Sequence, residues 1–180
     1  MRTFIAAYPS KRVLEQLLRE RELFCGRDSH IRLMKMGNIH LTLLFLGDTT
    51  HQQLLSLREE LPCLLKSYSP KKAIIEVMAP FPDPVRPKVY AGLLNRECSD
   101  ELSDLVGAIR KLAKKLHFCK LQSGYRGHVS LGRYRRGGKV VENLSHELLE
   151  PISWEIDEIH LVESRLLPAG AVHKTIDSFP

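Results

Sequence analysis

Apolar residues recur with two different periods along the chain, and these periods predict three helices and a set of short strands. Three stretches have apolar positions at steps of three and four residues, as one buried face of a helix requires. They follow Ser10, Thr50 and Ser99, which are residue types that cap helix N-termini. Thr50 and Gln53 have the spacing of a capping box, and Pro62 should kink or shorten the second helix.

Runs rich in apolar and β-branched residues predict the strands. They cover 3–8, 31–36, 39–46, 72–79, 88–94, 127–134 and 171–179, and 152–162 fits a strand with a slip or bulge. Residues 140–150 fit either a short helix or a loop. Four prolines within 80–87 predict a stiff loop between two strands. Because helices and strands mix without a strict βαβ repeat, the α+β class is favoured.

Two of the predicted strands contain the same motif, in which a histidine is followed two positions later by a hydroxyl residue and then by leucine. The first copy, HLTL, covers 40–43, and the second, HVSL, covers 128–131, 88 residues further on. Side chains two positions apart share one face of a strand. Each motif therefore presents an imidazole beside a hydroxyl. Two lobes related by a pseudo-two-fold axis would bring both motifs to one central cleft.

The paired motifs indicate acid–base chemistry at a phosphate ester. A lone histidine in a strand is more often structural, but His40 and His128 in matching contexts favour function. One imidazole near neutral pH can be protonated while the other is neutral, so one can take a proton from water and the other can protonate a leaving sugar oxygen. Thr42 and Ser130 can donate hydrogen bonds to the non-bridging oxygens, although ordinary strand packing explains each of them equally well.

Composition indicates the size, charge and location of the protein, but it does not identify the reaction. The 180 residues suit one domain, spanning 1–180, and the net charge of +6 attracts polyanions without identifying them. The four cysteines form neither a C-x-x-C motif nor a disulfide framework. No stretch reads as a signal peptide or a membrane span. We therefore interpret the protein as cytoplasmic. We also expect a monomer that needs no cofactor and no metal.

The ordered set of segments resembles the two-histidine (2H) phosphoesterase superfamily, and within it the LigT-like RNA 2′,3′-cyclic phosphodiesterases, also called 2′-5′ RNA ligases. The likeness rests on both motifs and covers nearly the whole chain. It includes RTFIA at 2–6, NIHLTLLFLGD at 38–48, Phe81 followed by RPKV at 86–89, and SFP at 178–180. It implies an α+β fold with two pseudo-symmetric lobes, whose antiparallel sheets surround a central cleft.

The same resemblance implies an activity and a partner. The protein would open the terminal 2′,3′-cyclic phosphate of an RNA or oligonucleotide to a 2′-phosphate without a metal, and reversible 2′-5′ RNA ligation is a further expectation. His40 would be the proton donor and His128 the proton acceptor. The chain departs from the family in Ser130, where threonine is usual, and in Gly127, where proline is frequent.

Basic and aromatic residues around the second motif are further candidates for the site. The resemblance places Arg133 near the phosphate, but strict alternation puts it on the opposite face from His128, so a bulge or a strand end is required. Phe81 can stack on a terminal base, and Arg126 is a candidate RNA contact. Arg135 and Arg136 read as a solvated basic loop. Six other histidines lack a partner motif and are interpreted as structural or surface residues: His30, His51, His117, His146, His160 and His173.

Three alternatives remain open from the residues. A metal-dependent hydrolase would need closely spaced ligands, which His40 lacks. A non-catalytic RNA-binding module fits the basic charge but leaves both histidines and both hydroxyls without a purpose. A phosphodiesterase for another small cyclic or 2′-5′ nucleotide fits the motifs as well as an RNA enzyme does.

Overall fold

A computed structural model describes residues 1–25, 30–135, 145–168 and 170–180, in which three α-helices pack on an antiparallel sheet. The helices are α1 (Lys11–Cys25), α2 (His51–Leu65) and α3 (Arg96–Lys115), and a 3-10 turn covers Met36–Asn38. The strands are β1 (Arg2–Ala7), β2 (Ile31–Leu33), β3 (Leu41–Asp48), β4 (Lys71–Phe81), β5 (Val89–Leu94), β6 (His128–Tyr134), β7 (His146–Ile156), β8 (Ile159–Leu167) and β9 (Gly170–Phe179). The predicted α+β class is confirmed.

The sheet consists of two halves that meet at the motif strands. Its order is β7-β4-β5-β6-β3-β1-β8-β9, and β2 also pairs with β6. The halves join where β3 and β6 pair through Leu41 and Val129, the residues that follow the two motif histidines. An antiparallel pair has a local two-fold axis, so His40 and His128 occupy equivalent positions about this join.

The helices bury the apolar residues of the motifs. Leu17 of α1, Leu57 of α2 and Ile109 of α3 are fully buried and lie in the same core cluster as Leu41 and Val129. Because side chains alternate along a strand, the histidines next to these residues face away from that core. No helix in the described residues is long and apolar enough to span a membrane.

The ends of two helices follow the predicted capping. The Ser10 hydroxyl accepts a hydrogen bond from the Val13 amide at 3.4 Å. At α2 the Thr50 hydroxyl accepts from the backbone amide of Gln53 at 3.2 Å, while the side-chain Oε1 of Gln53 accepts from the backbone amide of Thr50 at 3.0 Å. The capping box is confirmed. Pro62 lies inside α2, which ends three residues later at Leu65.

The predicted cap of the third helix is wrong. Asn95 caps α3, because its side-chain oxygen accepts from the Cys98 amide at 3.0 Å. Ser99 lies one turn further on, and its hydroxyl accepts from the Gly127 amide at 3.2 Å. Both residue types are good caps, and the end of β5 at Leu94 decides where the helix begins. Ser99 thereby ties α3 to the residue that precedes the second motif.

The strand predicted over 152–162 is two strands. β7 ends at Ile156 and β8 begins at Ile159, and they lie in opposite halves of the sheet, on β4 and β1 respectively. The irregular alternation that predicted a slip marks the break at Asp157 and Glu158. Of the undecided segment 140–150, residues 146–150 belong to β7 and 140–144 lie outside the described residues.

Candidate active site

Both motifs line one cleft of about 890 Å³ at the join between the two halves of the sheet. His40 and Thr42 come from the first motif, and His128 and Ser130 from the second. Pairing of Leu41 with Val129 places these four side chains together, although the motifs are far apart in the chain. The structure thus brings together the imidazoles and hydroxyls that the sequence predicts.

The two imidazoles are held in the same way. His40 Nδ1 lies 2.8 Å from the Asn38 carbonyl oxygen, and His128 Nδ1 lies 2.8 Å from the Arg126 carbonyl oxygen. A carbonyl only accepts, so each Nδ1 carries a hydrogen and donates it. Nε2 is then the atom of each ring that can exchange a proton. His40 Nε2 also lies 3.1 Å from the Thr42 hydroxyl.

An aromatic ring covers each imidazole. Phe4 stacks on His40 with ring centroids 4.8 Å apart, and Phe81 stacks on His128 at 4.0 Å. Both contacts limit ring rotation and exclude water from one side of the imidazole. The Arg126 guanidinium lies over the Phe81 ring, 4.9 Å from its centroid, which is a cation–π arrangement. Phe81 and Arg126 therefore orient the second motif, in addition to their predicted contact with RNA.

Burial makes both histidines hard to protonate. Desolvation first and the nearby His173 second lower the pKa of His40 to about 4, although the hydrogen bond to Asn38 opposes this shift. Desolvation also lowers the pKa of His128. The hydrogen bond to the Arg126 carbonyl opposes this shift, and the positive charge of the Arg126 side chain adds to it. Both imidazoles are consequently neutral at pH 7 until a negative charge enters the cleft.

A β-bulge turns Arg133 into the cleft. On β5, Ala91 pairs with Ser130 and Tyr90 pairs with Gly132, which leaves Leu131 as an extra residue in β6. Leu131 and Gly132 both face the core, and the next side chain, Arg133, returns to the side of the motif residues. The bulge that this arginine required is therefore present. Only glycine fits at 132, because a Cβ atom there would lie 2.4 Å from Ile31 Cγ2.

The first half of the sheet carries the same bulge. On β1, Ile5 pairs with Leu44 and Ala6 pairs with Thr42, which leaves Leu43 unpaired in β3. Phe45 follows His40 by five positions, as Arg133 follows His128, and it is 47% exposed and lines the cleft. Sequence reasoning missed Phe45, although the equal spacing from the histidine was a usable signal.

His173 of β9 is a third histidine in the cleft. Its ring lies edge-on to His40 with centroids 5.1 Å apart and edge-on to Phe4 at 5.0 Å. Its Nδ1 is buried and has no hydrogen-bond partner among the described residues. The interpretation of His173 as a merely structural or surface residue missed this placement. No local signal marks it, because β9 reaches the cleft only through the sheet. His117 also lines the cleft.

The remaining basic candidates lie at the edge of the site or outside it. Arg126 Nη1 donates to the Pro82 carbonyl at 3.1 Å, which ties the second motif to the proline-rich loop. Arg135 is exposed, and Arg136 lies outside the described residues.

Within the described part of the chain, no group of three or more His, Cys, Asp or Glu side chains could hold a metal ion.

The sequence of this chain is similar to those of known proteins over most of its length. It is 27% identical over 153 residues to the RNA 2′,3′-cyclic phosphodiesterase of Archaeoglobus fulgidus, with 84% of each chain covered. It is 26% identical over 184 residues to the protein of the same name from Methanothermobacter thermautotrophicus, with 99% of this chain and 98% of the relative covered. No protein-family model matches the chain.

Solved structures share the fold. A crystal structure of a Thermus thermophilus protein superposes with a TM-score of 0.82 at 21% identity, covering 99% of this chain and 97% of the other. E. coli LigT in complex with ATP superposes with a TM-score of 0.75 at 19% identity, covering 99% and 96%. These likenesses establish the fold. The resemblance to the LigT-like two-histidine phosphoesterases is confirmed.

Proposed function

We propose that this protein is an RNA 2′,3′-cyclic phosphodiesterase that opens the terminal cyclic phosphate of an RNA or oligonucleotide to a 2′-phosphate. One observation carries the proposal: His40 and His128 lie at equivalent positions in one cleft, each with Nδ1 on a carbonyl and Nε2 able to exchange a proton. The names of the relatives support the substrate class. The net charge of +6 supports a polyanionic partner.

The proposed reaction uses both imidazoles in one displacement. Neutral His128 takes a proton from water, the water oxygen attacks phosphorus, and the bond from phosphorus to O3′ breaks. Protonated His40 gives its proton to O3′ as this bond breaks, which leaves a 2′-phosphate. The resemblance supports this division of roles.

The remaining groups of the cleft act on the phosphate. In the proposed reaction Thr42 and Ser130 donate hydrogen bonds to the non-bridging oxygens, and Arg133 neutralises their charge. Burial makes His40 difficult to protonate. The donor role therefore requires that the phosphate anion of the substrate raise its pKa on binding. His173 lies edge-on to His40 and lowers its pKa, so it would oppose this protonation.

We also propose that the chain works as one domain over 1–180, as a monomer, and in the cytoplasm. The continuity of the sheet across both motifs supports the first of these, since a cut between the halves would divide the cleft.

Turnover of an oligonucleotide that ends in a 2′,3′-cyclic phosphate tests the proposal. We expect hydrolysis in the presence of EDTA, because two imidazoles supply both proton transfers. Mapping of the product should give a terminal 2′-phosphate, which resonates separately from a 3′-phosphate in a phosphorus NMR spectrum. Loss of activity in EDTA that zinc or manganese restores would contradict the two-histidine mechanism. A 3′-phosphate product would contradict the proposed leaving group.

The pH dependence of kcat/KM should report the lowered pKa values of the free protein. Productive encounter requires one neutral and one protonated histidine, and burial brings both pKa values below the ordinary 6.5. We therefore expect kcat/KM to peak below pH 6.5 and to fall as the pH rises above the peak, since the required proton is lost. The kcat profile should lie at higher pH, because the bound anion favours the protonated form. A kcat/KM maximum near pH 8 would contradict this assignment. The two limbs belong to the coupled pair and not to either residue alone.

A further inference from the structure

We infer that His173 of β9 is a further residue that contacts the reacting phosphate, because its neutral imidazole can donate a hydrogen bond from Nε2 to a non-bridging oxygen. The inference rests on the proposed function and adds to it a residue that lies in neither motif. The ligand is the phosphate group itself, so inorganic phosphate in the same cleft should make the same contact.

His173 lies beside two groups that the proposed reaction places on the phosphate. It lines the cleft together with His40 and Arg133. The centroid of its ring is 5.1 Å from that of His40, and Arg133 is close enough for its charge to act on the His173 ring. An anion held between the proton donor and this guanidinium is therefore within reach of His173.

The two nitrogen atoms of the His173 ring have different surroundings. Nδ1 is buried and has no hydrogen-bond partner among the described residues. Nε2 is further from the backbone, so it is the nitrogen that a ligand in the cleft can reach. Buried N–H groups without an acceptor are rare in proteins. The neutral ring therefore carries its hydrogen on Nε2 and presents a donor to the cleft.

The same surroundings keep the His173 ring neutral. Protonation would place a second hydrogen on the buried Nδ1, which has no acceptor. Burial first and the positive charge of Arg133 second lower the pKa of His173, and no carboxylate of the described residues opposes this shift. The titratable or charged groups beside the ring are His40 of β3 and Arg133 of β6, while Phe4 of β1 is uncharged. His173 is thus a neutral donor at pH 7.

A neutral donor suits the proposed role of His40. His40 has to carry a proton before it can give that proton to O3′. After burial, the charge of a protonated His173 is the second cause that lowers the pKa of His40. A neutral His173 has no such charge, so its Nε2–H stabilises the phosphate oxygens without opposing protonation of the donor.

The second motif has a permanent cation at the corresponding place. An aromatic ring stacks on each motif histidine. The Arg126 guanidinium lies over the Phe81 ring, 4.9 Å from its centroid, and the His173 ring lies edge-on to Phe4 at 5.0 Å. A permanent positive charge favours the neutral form of His128, which a proton acceptor requires. The neutral ring of His173 has no such effect on the proton donor, which agrees with the proposed roles.

Two variants test the hydrogen bond with adenosine 2′,3′-cyclic phosphate as substrate. His173→Leu removes the donor and should lower kcat/KM by about 10–100-fold, the worth of a hydrogen bond to a charged group. It should also weaken the binding of inorganic phosphate, measured by titration calorimetry. His173→Gln restores a neutral donor, so it should recover most of both losses.

A third variant tests why the donor is neutral. His173→Lys places a permanent cation beside His40 and should bind inorganic phosphate at least as tightly as the wild-type protein. At neutral pH it should lower kcat about tenfold for each unit by which it lowers the pKa of His40. The pH maximum of kcat should therefore move to lower pH. A merely structural role of His173 predicts neither this shift nor the recovery in His173→Gln.

His160→Leu is the matched control, because it removes an imidazole that lies edge-on to an aromatic ring, Tyr8 at 5.0 Å, and does not line the cleft. It should leave kcat/KM and phosphate binding unchanged. The melting temperature of each variant shows whether it is folded. If His173→Leu does not fold, the comparison of His173→Gln with His173→Lys decides the outcome.

Three results would overturn the inference and leave the proposed function intact. They are unchanged kcat/KM and phosphate binding in a folded His173→Leu, equal losses in His173→Leu and His173→Gln, and a kcat profile of His173→Lys that matches the wild-type profile. If the wild-type protein hydrolyses no cyclic phosphate, the proposed function fails. Weaker binding of inorganic phosphate by His173→Leu than by His173→Gln would then still support the phosphate contact.

Discussion

Replacing His128 with alanine should lower kcat on a cyclic phosphate by about 10²–10⁴-fold, and His40→Ala should have an effect of the same size, because each removes one positioned proton-transfer group. The double variant should lose little more than either single variant, since the two groups act in one step. Steady-state kinetics on adenosine 2′,3′-cyclic phosphate give all three values. His51→Ala, which removes an exposed imidazole from α2, is the matched control and should retain full activity.

Near-normal turnover by His128→Ala would show that the second motif is structural. Thr42→Ala and Ser130→Ala should cost less, about 10–10³-fold, because each removes one hydrogen bond to the phosphate. A substrate whose 3′-leaving group needs no protonation assigns the two roles. It should rescue His40→Ala far more than His128→Ala, and the opposite result would reverse donor and acceptor without removing the two-histidine mechanism.

Replacing Arg133 with methionine should lower kcat/KM on a cyclic mononucleotide by about 10²–10³-fold, because a fixed positive group at the developing phosphate charge stabilises the transition state by this order of magnitude. The bulge at Leu131 directs this guanidinium into the cleft that both histidines line. Because the cyclic mononucleotide has no further phosphates, the measurement separates a role at the reacting group from a general attraction for RNA.

Arg135→Met provides the comparison, since Arg135 lies two residues beyond Arg133, after the end of β6, and does not line the cleft. Its loss should matter for long RNA only, where several phosphates are neutralised and binding weakens as the salt concentration rises. Equal losses for both variants on the mononucleotide would contradict the special position of Arg133.

Local patterns in the sequence account for much of the fold and, within the site, for the pairing of each histidine with its hydroxyl residue. The period of two placed each histidine on one face of a strand with its hydroxyl partner, and the structure has this arrangement in both motifs. The capping box at Thr50 also follows from residues three positions apart. Such features depend on neighbours in the chain, whose geometry is nearly independent of the rest of the molecule.

Two predictions from the sequence were wrong because the local sequence fits more than one structure. Asn95 and Ser99 are both good caps, and the end of β5 selects between them. The irregular alternation over 152–162 fits a bulged strand as well as two strands that meet at Asp157. Only the different partners of β7 and β8 distinguish these possibilities, because pairing across a sheet depends on residues far away in the chain.

Only the tertiary structure brings the two motifs into one cleft. The single pair of Leu41 with Val129 brings together motifs 88 residues apart, and it forms because both residues enter one core beneath the helices. The sequence required a bulge or strand end before Arg133, and the register of β5 on β6 put the bulge at Leu131. His173 reaches His40 from β9, at the far edge of the sheet order. The sequence determined which side chains share a strand face, whereas long-range strand pairing and core burial determined which faces meet.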